Sequence, residues 1–151
     1  MNLSRNLFFY EKIELPDTFE MRIYLMFFHF SLILKSCKIK SYKFDQSQYD
    51  DLFHNIENNL RELGFGDVSV NKKMKELNKI LYDILLKIKV NKESDYDSNS
   101  NLKLFLRYFS TFKDKKEKKL KILNAYFSSF FDYCFEIPTE NMLERIKYFK
   151  I

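Results

Sequence analysis

The chain has little glycine and proline, with two residues of each among 151. It has no tryptophan, and its single alanine is Ala125. Because glycine and proline are the residues that most often interrupt helices, their scarcity predicts long uninterrupted elements. No segment shows the alternation of apolar and polar residues that is typical of a half-buried strand. The sequence therefore predicts an all-α fold, a single domain over residues 1–151 in which about six to seven helices form a bundle.

Cysteine is also scarce, and Cys37 and Cys134 lack the paired spacing of a disulfide framework or a zinc site. Each lies among apolar residues, so we expect two buried thiols. The first residues contain no apolar run of the length that a secretory signal needs, and acidic Glu11 comes early. We therefore expect a reducing, cytoplasmic location.

The net charge is +5, and arginine supplies only five of the 26 basic residues, so lysine predominates among them. Proteins that bind nucleic acids usually depend on arginine, so the basic charge is weak evidence for an acidic partner and is consistent with a biased genome composition. The Lys113–Lys121 segment holds six lysines. We interpret it as a solvated helix start, with contact to ribosomal RNA or anionic lipid as the alternative.

The most apolar segment, Ile23–Leu34, has twelve consecutive residues without a formal charge. It is too short to cross a bilayer, which needs roughly 17–25 residues. Arg22 and Lys35 also bracket it closely. The segment is therefore predicted to be a central helix that is buried on nearly all sides, with Asp17 or Thr18 as its N-cap.

Two amphipathic helices are predicted on either side of the two glycines. Gly64 is placed to end the first helix in a left-handed conformation, after a loop over 38–47 and a cap at Asp45 or Ser47. The inward face of the first helix is predicted to be Tyr49, Leu52, Phe53, Ile56, Leu60 and Leu63. The seam of the second is predicted to be Val70, Met74, Leu77, Leu81, Ile84 and Ile88.

The second half of the chain begins with residues 91–101, whose polar composition predicts an exposed internal loop. A helix over Leu102–Phe112 is expected to follow it. Pro138 should break the next helix, and Thr139 is expected to cap a last short one that reaches about Phe149. The helix before Pro138 is predicted to bury Leu123, Tyr126, Phe127, Phe130, Phe131 and Cys134.

No residues at the spacing of a catalytic or metal site are found, so the sequence predicts neither an enzyme nor a cofactor. His29 and His54 lie on different predicted helices, and the Phe-rich surroundings of His29 favour a core histidine over a ligand. The Gly64–Gly66 pair lacks the further glycines and the preceding strand of a nucleotide-binding loop. A DNA-reading helix–turn–helix is disfavoured because the apolar seam of the second helix faces inward along its full length. We expect neither DNA nor a small molecule as a partner.

Two stretches resemble a known family. The first runs from Leu15 to Arg22, contains Pro16-Asp17-Thr18, and is followed seven residues later by His29. The second is Asn59-Leu60-Arg61-Glu62-Leu63-Gly64-Phe65-Gly66-Asp67, followed by Val70 and four residues that include three lysines, Lys72-Lys73-Met74-Lys75. Both are similar to bacterial members of the ubiquinol–cytochrome c chaperone family, which assemble the respiratory bc1 complex.

The second stretch resembles the family signature Asn-Leu-Arg-Glu-Met-Gly-Val-Gly-Asp. Leu63 and Phe65 stand where Met and Val are usual, and Met21 stands where a small residue is expected. The resemblance implies a helical, non-enzymatic chaperone that binds newly made cytochrome b, the transmembrane subunit of the bc1 complex. It would act in the bacterial cytoplasm, peripheral to the inner membrane, with the ribosome or the membrane surface as further partners.

A client made of transmembrane helices requires apolar contact together with a polar rim. We predict that the apolar contacts come from Phe19, Met21, Tyr24 and Phe65. The polar contacts are predicted to be Asp17, Arg22, Arg61, Glu62, Asp67, Lys72 and Lys73. The alternative for the polar residues is capping and ion pairing within the chain, and Asp67 is expected to be a helix cap. Two other functions remain open: an RNA- or ribosome-associated basic protein, and a membrane-surface scaffold.

Overall fold

The fold contains six α-helices in a computed structural model that describes residues 3–90, 98–109 and 117–150. No strand forms within these ranges, which confirms the predicted all-α class. The helices are α1 (Phe19–Ile39), α2 (Gln46–Glu62), α3 (Asp67–Lys87), α4 (Ser98–Tyr108), α5 (Glu117–Glu136) and α6 (Met142–Ile146). A 3-10 turn at Leu3–Arg5 and a π-helical turn at Phe8–Lys12 precede α1.

Helix α1 is the centre of the bundle, as predicted, and every residue from 25 to 33 is buried. It begins where Thr18 Oγ1 accepts a hydrogen bond from the Met21 amide, which confirms one of the two predicted caps. It ends at Ile39, two residues into the predicted loop. The next residue, Lys40, donates from Nζ to the carbonyl oxygens of Cys134 and Ile137, at 3.0 and 2.6 Å, and so caps the C-terminus of α5.

Aromatic rings form the contact between α1, α4 and α5. The Phe28 ring lies 5.0 Å from the Phe105 ring, 5.3 Å from the Phe109 ring and 5.5 Å from the Phe127 ring, centroid to centroid. All four side chains are fully buried. The predicted inward face of α5 is confirmed, since all six of its residues are buried. The unusual phenylalanine content is therefore largely core.

The turn between α2 and α3 is built by Gly64, whose φ of 89° is in the left-handed region. The Gly64 amide donates to the Arg61 carbonyl and the Phe65 amide donates to the Leu60 carbonyl, the paired hydrogen bonds of a Schellman motif. The predicted left-handed terminator is thus confirmed. Gly66, with extended backbone, is the N-cap of α3. Asp67 is the first helical residue, so the prediction that it caps the helix was wrong.

Replacing Gly64 with alanine is expected to lower the free energy of unfolding by about 1–2 kcal/mol, the cost of holding a side-chain-bearing residue in the left-handed region. Space does not limit either glycine, since a Cβ at Gly64 or at Gly66 would meet no atom within 4 Å. Gly66→Ser is the matched control and should change stability by only a few tenths of a kcal/mol. Urea denaturation measures both, and equal losses in the two variants would contradict the assignment of strain to Gly64.

The second half of the chain departs from the predicted boundaries. Helix α4 begins at Ser98, so the predicted loop ends earlier, while residues 91–97 lie outside the described ranges. The reason is Asn101, which is buried and whose side-chain amide bonds both the N–H and the C=O of Lys89. Helix α4 ends at Tyr108, and residues 110–116, including the first lysines of the basic segment, are not described. Thr139 opens a 3-10 turn after Pro138 and does not cap a helix with its side chain.

Candidate functional site

The two stretches that carry the family resemblance meet at one small cavity of about 360 Å³. Phe19 and Arg22 reach it from the first turns of α1, and Asn59, Glu62 and Leu63 reach it from the end of α2. The turn over 40–45 sends α2 back along α1, so the start of one helix lies beside the end of the other. Three predicted contact residues, Phe19, Arg22 and Glu62, are therefore brought together, and Arg5 of the N-terminal turn joins them.

Arg22 is held in place by Asp17 through a bidentate ion pair at the protein surface. Nε lies 2.6 Å from Oδ1 and Nη2 lies 2.7 Å from Oδ2. The hydrogen bond from Arg22 lowers the pKa of Asp17, and the same bond raises the pKa of Arg22. This geometry fixes the guanidinium at the cavity wall, in an arrangement that lysine would not reproduce.

Arg61 joins the last turn of α2 to the first residue of α3. Nη2 lies 2.7 Å from Glu57 Oε1, and Nη1 forms an ion pair with Asp67 Oδ1. Asp67, followed by Glu57, raises the pKa of Arg61. Arg61 and Asp67 therefore form an ion pair within the chain, which is the alternative that the sequence left open for the polar residues. Both side chains are nevertheless exposed, so they also form the polar edge of the surface beside Gly64.

Apolar side chains are exposed on both sides of the glycine turn. Leu63 is 58%, Phe65 39% and Val68 85% exposed, and we call these three residues the apolar turn. Leu63 was predicted to face the core, but α2 ends at Glu62 and the reversal at Gly64 turns Leu63 outward. Val68 was not predicted as a contact residue. Val68 comes two residues after the glycine cap and before Val70, the first buried residue of α3, and this position could have indicated that it is exposed. Lys72 is exposed nearby, and Lys73 is half-buried.

Two predicted contact residues are not part of this surface. Met21 is only 6% exposed and belongs to the core, so its prediction as an apolar contact is corrected. The Tyr24 ring lies 5.4 Å from the Tyr108 ring of α4. Because two residues turn a helix by about 200°, Tyr24 is on the opposite side of α1 from Arg22. The prediction of Met21 was wrong because α1 is apolar around most of its circumference, so the pattern does not show which side is exposed. Tyr24 as a contact residue stays a prediction.

His29 is a core residue whose two ring nitrogens are both hydrogen-bonded. Nδ1 lies 2.6 Å from the Leu25 carbonyl oxygen, so Nδ1 carries the hydrogen. Nε2 then accepts from the Tyr126 hydroxyl, at 2.7 Å. Burial lowers the pKa of His29 to about 4, which keeps the ring neutral. In this arrangement no nitrogen of His29 is free to bind a metal or haem.

The described residues contain no group of three or more His, Cys, Asp or Glu side chains that could hold a metal ion. In the same part of the chain, no helix is long and apolar enough to cross a bilayer. Among the exposed features of this surface, the adjacent apolar side chains of the turn with their polar edge are the ones that a protein partner could contact.

The model of the ubiquinol-cytochrome C chaperone family matches residues 11–149, and the chain belongs to that family. The match confirms the predicted family and extends the resemblance to almost the whole chain. Membership suggests an assembly role for the bc1 complex and a non-enzymatic function. No curated protein and no solved structure matches the chain.

Proposed function

We propose that the protein is an assembly chaperone that binds newly made cytochrome b before it enters the bc1 complex. The observation that carries the proposal is the apolar turn, which lies in the segment with the family signature and is exposed to solvent. Transmembrane helices that have not yet been assembled present apolar surface, and a chaperone must cover it reversibly. A small apolar patch with a charged edge suits brief contact better than permanent association.

The charged residues around the turn support the same role. Asp17 with Arg22, and Arg61 with Glu57 and Asp67, keep paired charges beside the apolar side chains. Such pairs stay solvated in the free protein and limit self-association through the patch. We place the protein on the cytoplasmic side, peripheral to the inner membrane, where cytochrome b is inserted. The ribosome and the membrane surface are further contacts under this proposal.

Val68→Asp is expected to reduce capture of cytochrome b at least about tenfold. The new carboxylate would be buried under the bound client, and burying a charge against apolar side chains opposes binding. The fold should be unaffected, since Val68 is 85% exposed. Leu86→Asp is the matched control, an exposed apolar residue at the other end of the same helix, and it should capture normally. The measurement is affinity capture from detergent-solubilised cells at high salt, probed for cytochrome b and for mature bc1 subunits.

Each result of this capture has a defined meaning. Recovery of cytochrome b without mature bc1 subunits supports the proposal, and equal capture by both variants places the client surface elsewhere. Recovery of ribosomes with strong salt dependence, or of lipid alone, without cytochrome b, would favour the RNA-associated protein or the membrane scaffold instead.

A further inference from the structure

A second, larger cavity of about 590 Å³ lies along α1 next to the small one, and Ser4 and Met26 line both. The two cavities adjoin along α1, and we call them together the α1–α2 groove. Its floor is a single face of α1, with residues at steps of four, three, four and three. These floor residues are Phe19, which is half-buried, and Ile23, Met26, Phe30 and Ile33, which are buried and reach the cavities only with their outer edges.

The walls of the α1–α2 groove differ in chemistry. The α2 wall is mainly polar, again at helical spacing, and consists chiefly of Gln48, Asp51, Asn55, Asn59 and Glu62. The opposite wall is formed by Leu3 and Ser4 of the N-terminal turn and by Leu143 and Ile146 of α6. An apolar floor with a polar wall on one side matches a helix that is apolar on one face, laid lengthwise in the groove.

Charge distinguishes the two ends of the groove. Asp51 and Glu144 both line the larger cavity and are exposed. Within the described ranges neither carboxylate has an ion-pair or hydrogen-bond partner in the chain. Lys147 is the single basic residue in that lining. The end beside the Gly64 turn is lined by Arg5, by Glu62 and by Arg22, which is paired with Asp17. The larger cavity is thus the acidic end of the groove.

We propose that the α1–α2 groove binds an apolar α-helix that ends in lysine or arginine, with its basic end beside Asp51 and Glu144. From Phe19 to Ile33 the floor is about 21 Å long, against about 30 Å for a helix that spans a membrane. Cytoplasmic ends of transmembrane helices are rich in lysine and arginine, which fits the unpaired carboxylates. The inference rests on the proposed function only for the identity of the client, cytochrome b.

The absence of tryptophan allows a direct test of the groove. Gln48→Trp places the only tryptophan of the chain in the groove wall, and Lys79→Trp places it on the exposed side of α3 as the control. The probes are two apolar helical peptides of about 20 residues, one flanked by lysines and one by glutamates, at one end only in each case, in mild detergent. We expect a saturable blue shift of the tryptophan emission in the Gln48→Trp variant, with the lysine-flanked peptide bound about tenfold more tightly.

Charge reversal supplies the second measurement. Asp51→Lys with Glu144→Lys, in the Gln48→Trp background, should abolish or invert the preference between the peptides, while Glu76→Lys on α3 should leave it unchanged. Equal binding of both peptides, a shift caused by detergent alone, or a shift that depends only on protein concentration would overturn the inference.

The failure of each proposal can be told apart. Peptide binding in the groove without capture of cytochrome b rejects the proposed client and keeps the groove. Capture of cytochrome b that survives the double charge reversal, with no peptide response, keeps the chaperone and rejects the groove.

Discussion

Phe28→Ala is expected to lower the free energy of unfolding by about 3–5 kcal/mol. Phe28 is fully buried on the central helix, and its ring packs against Phe105 of α4, against Phe109 directly after α4 and against Phe127 of α5. Removing it leaves a cavity where three elements meet, and rings held by two other helices cannot all move in to fill it. Since a domain of this size is stable by about 5–15 kcal/mol, the variant should be close to unfolding.

Urea denaturation followed by circular dichroism measures the effect of this substitution. Tyr148→Ala is the control, an aromatic that is 75% exposed, and it should change stability by less than about 0.5 kcal/mol. Phe28→Ala combined with Phe105→Ala should cost less than the sum of the single variants, because the two rings are in contact. A loss below about 1 kcal/mol for Phe28→Ala would show that this aromatic cluster is not tightly packed.

Lowering the pH from about 6.5 to about 4 is expected to destabilise the protein by about 3 kcal/mol through His29 alone. Burial lowers the pKa of His29 to about 4 in the folded protein, whereas an unfolded histidine titrates near 6.5. Between these values the unfolded state binds a proton that the folded state does not. Stability therefore falls as the pH falls through this window, and His29 adds no pH dependence above it.

The carboxyl groups with shifted pKa values overlap this measurement only at its acid end. The pKa values of Asp17 and Asp45 are lowered from 3.8 by hydrogen bonds from Arg22 and from Ser47. Burial raises the pKa of Asp83, but hydrogen bonds from Lys87 and Tyr108 outweigh it, so that this pKa is also lowered. Because their pKa values are lowered in the folded protein, these carboxylates lose their contribution to stability as the unfolded chain binds protons near the ordinary Asp pKa of about 3.9, and the loss begins at about pH 5. The slope of the free energy of unfolding between about pH 6.5 and about pH 5, from a series of urea denaturations, should therefore isolate the histidine.

The matched variant combines His29→Leu with Tyr126→Phe, which removes both partners of the buried hydrogen bond. Its stability should change little over the same pH window. Tyr126→Phe alone leaves His29 Nε2 without its donor in the core, which should cost about 1–3 kcal/mol at neutral pH. An unchanged pH slope in the double variant would assign the acid sensitivity to other groups.

The sequence by itself determined the features that depend on local chemistry. Gly64 ends α2 because glycine adopts a positive φ without strain, and Thr18 caps α1 because its hydroxyl replaces a missing backbone partner. The seam of α3 and the face of α5 were predicted because residues three and four apart share one side of a helix. The two family stretches likewise belong to continuous segments, which is why the family was identified correctly.

Only the tertiary structure decided which side of each helix meets a neighbour. Because α1 is apolar on nearly all sides, periodicity does not say that Met21 is buried or that Tyr24 packs against α4. Leu63 fits the inward pattern of α2, yet the chain reversal one residue later exposes it. The pairing of Arg61 with Asp67 and the α1–α2 groove likewise arise between separate elements. Their positions follow from the packing of whole helices, which a local pattern does not encode.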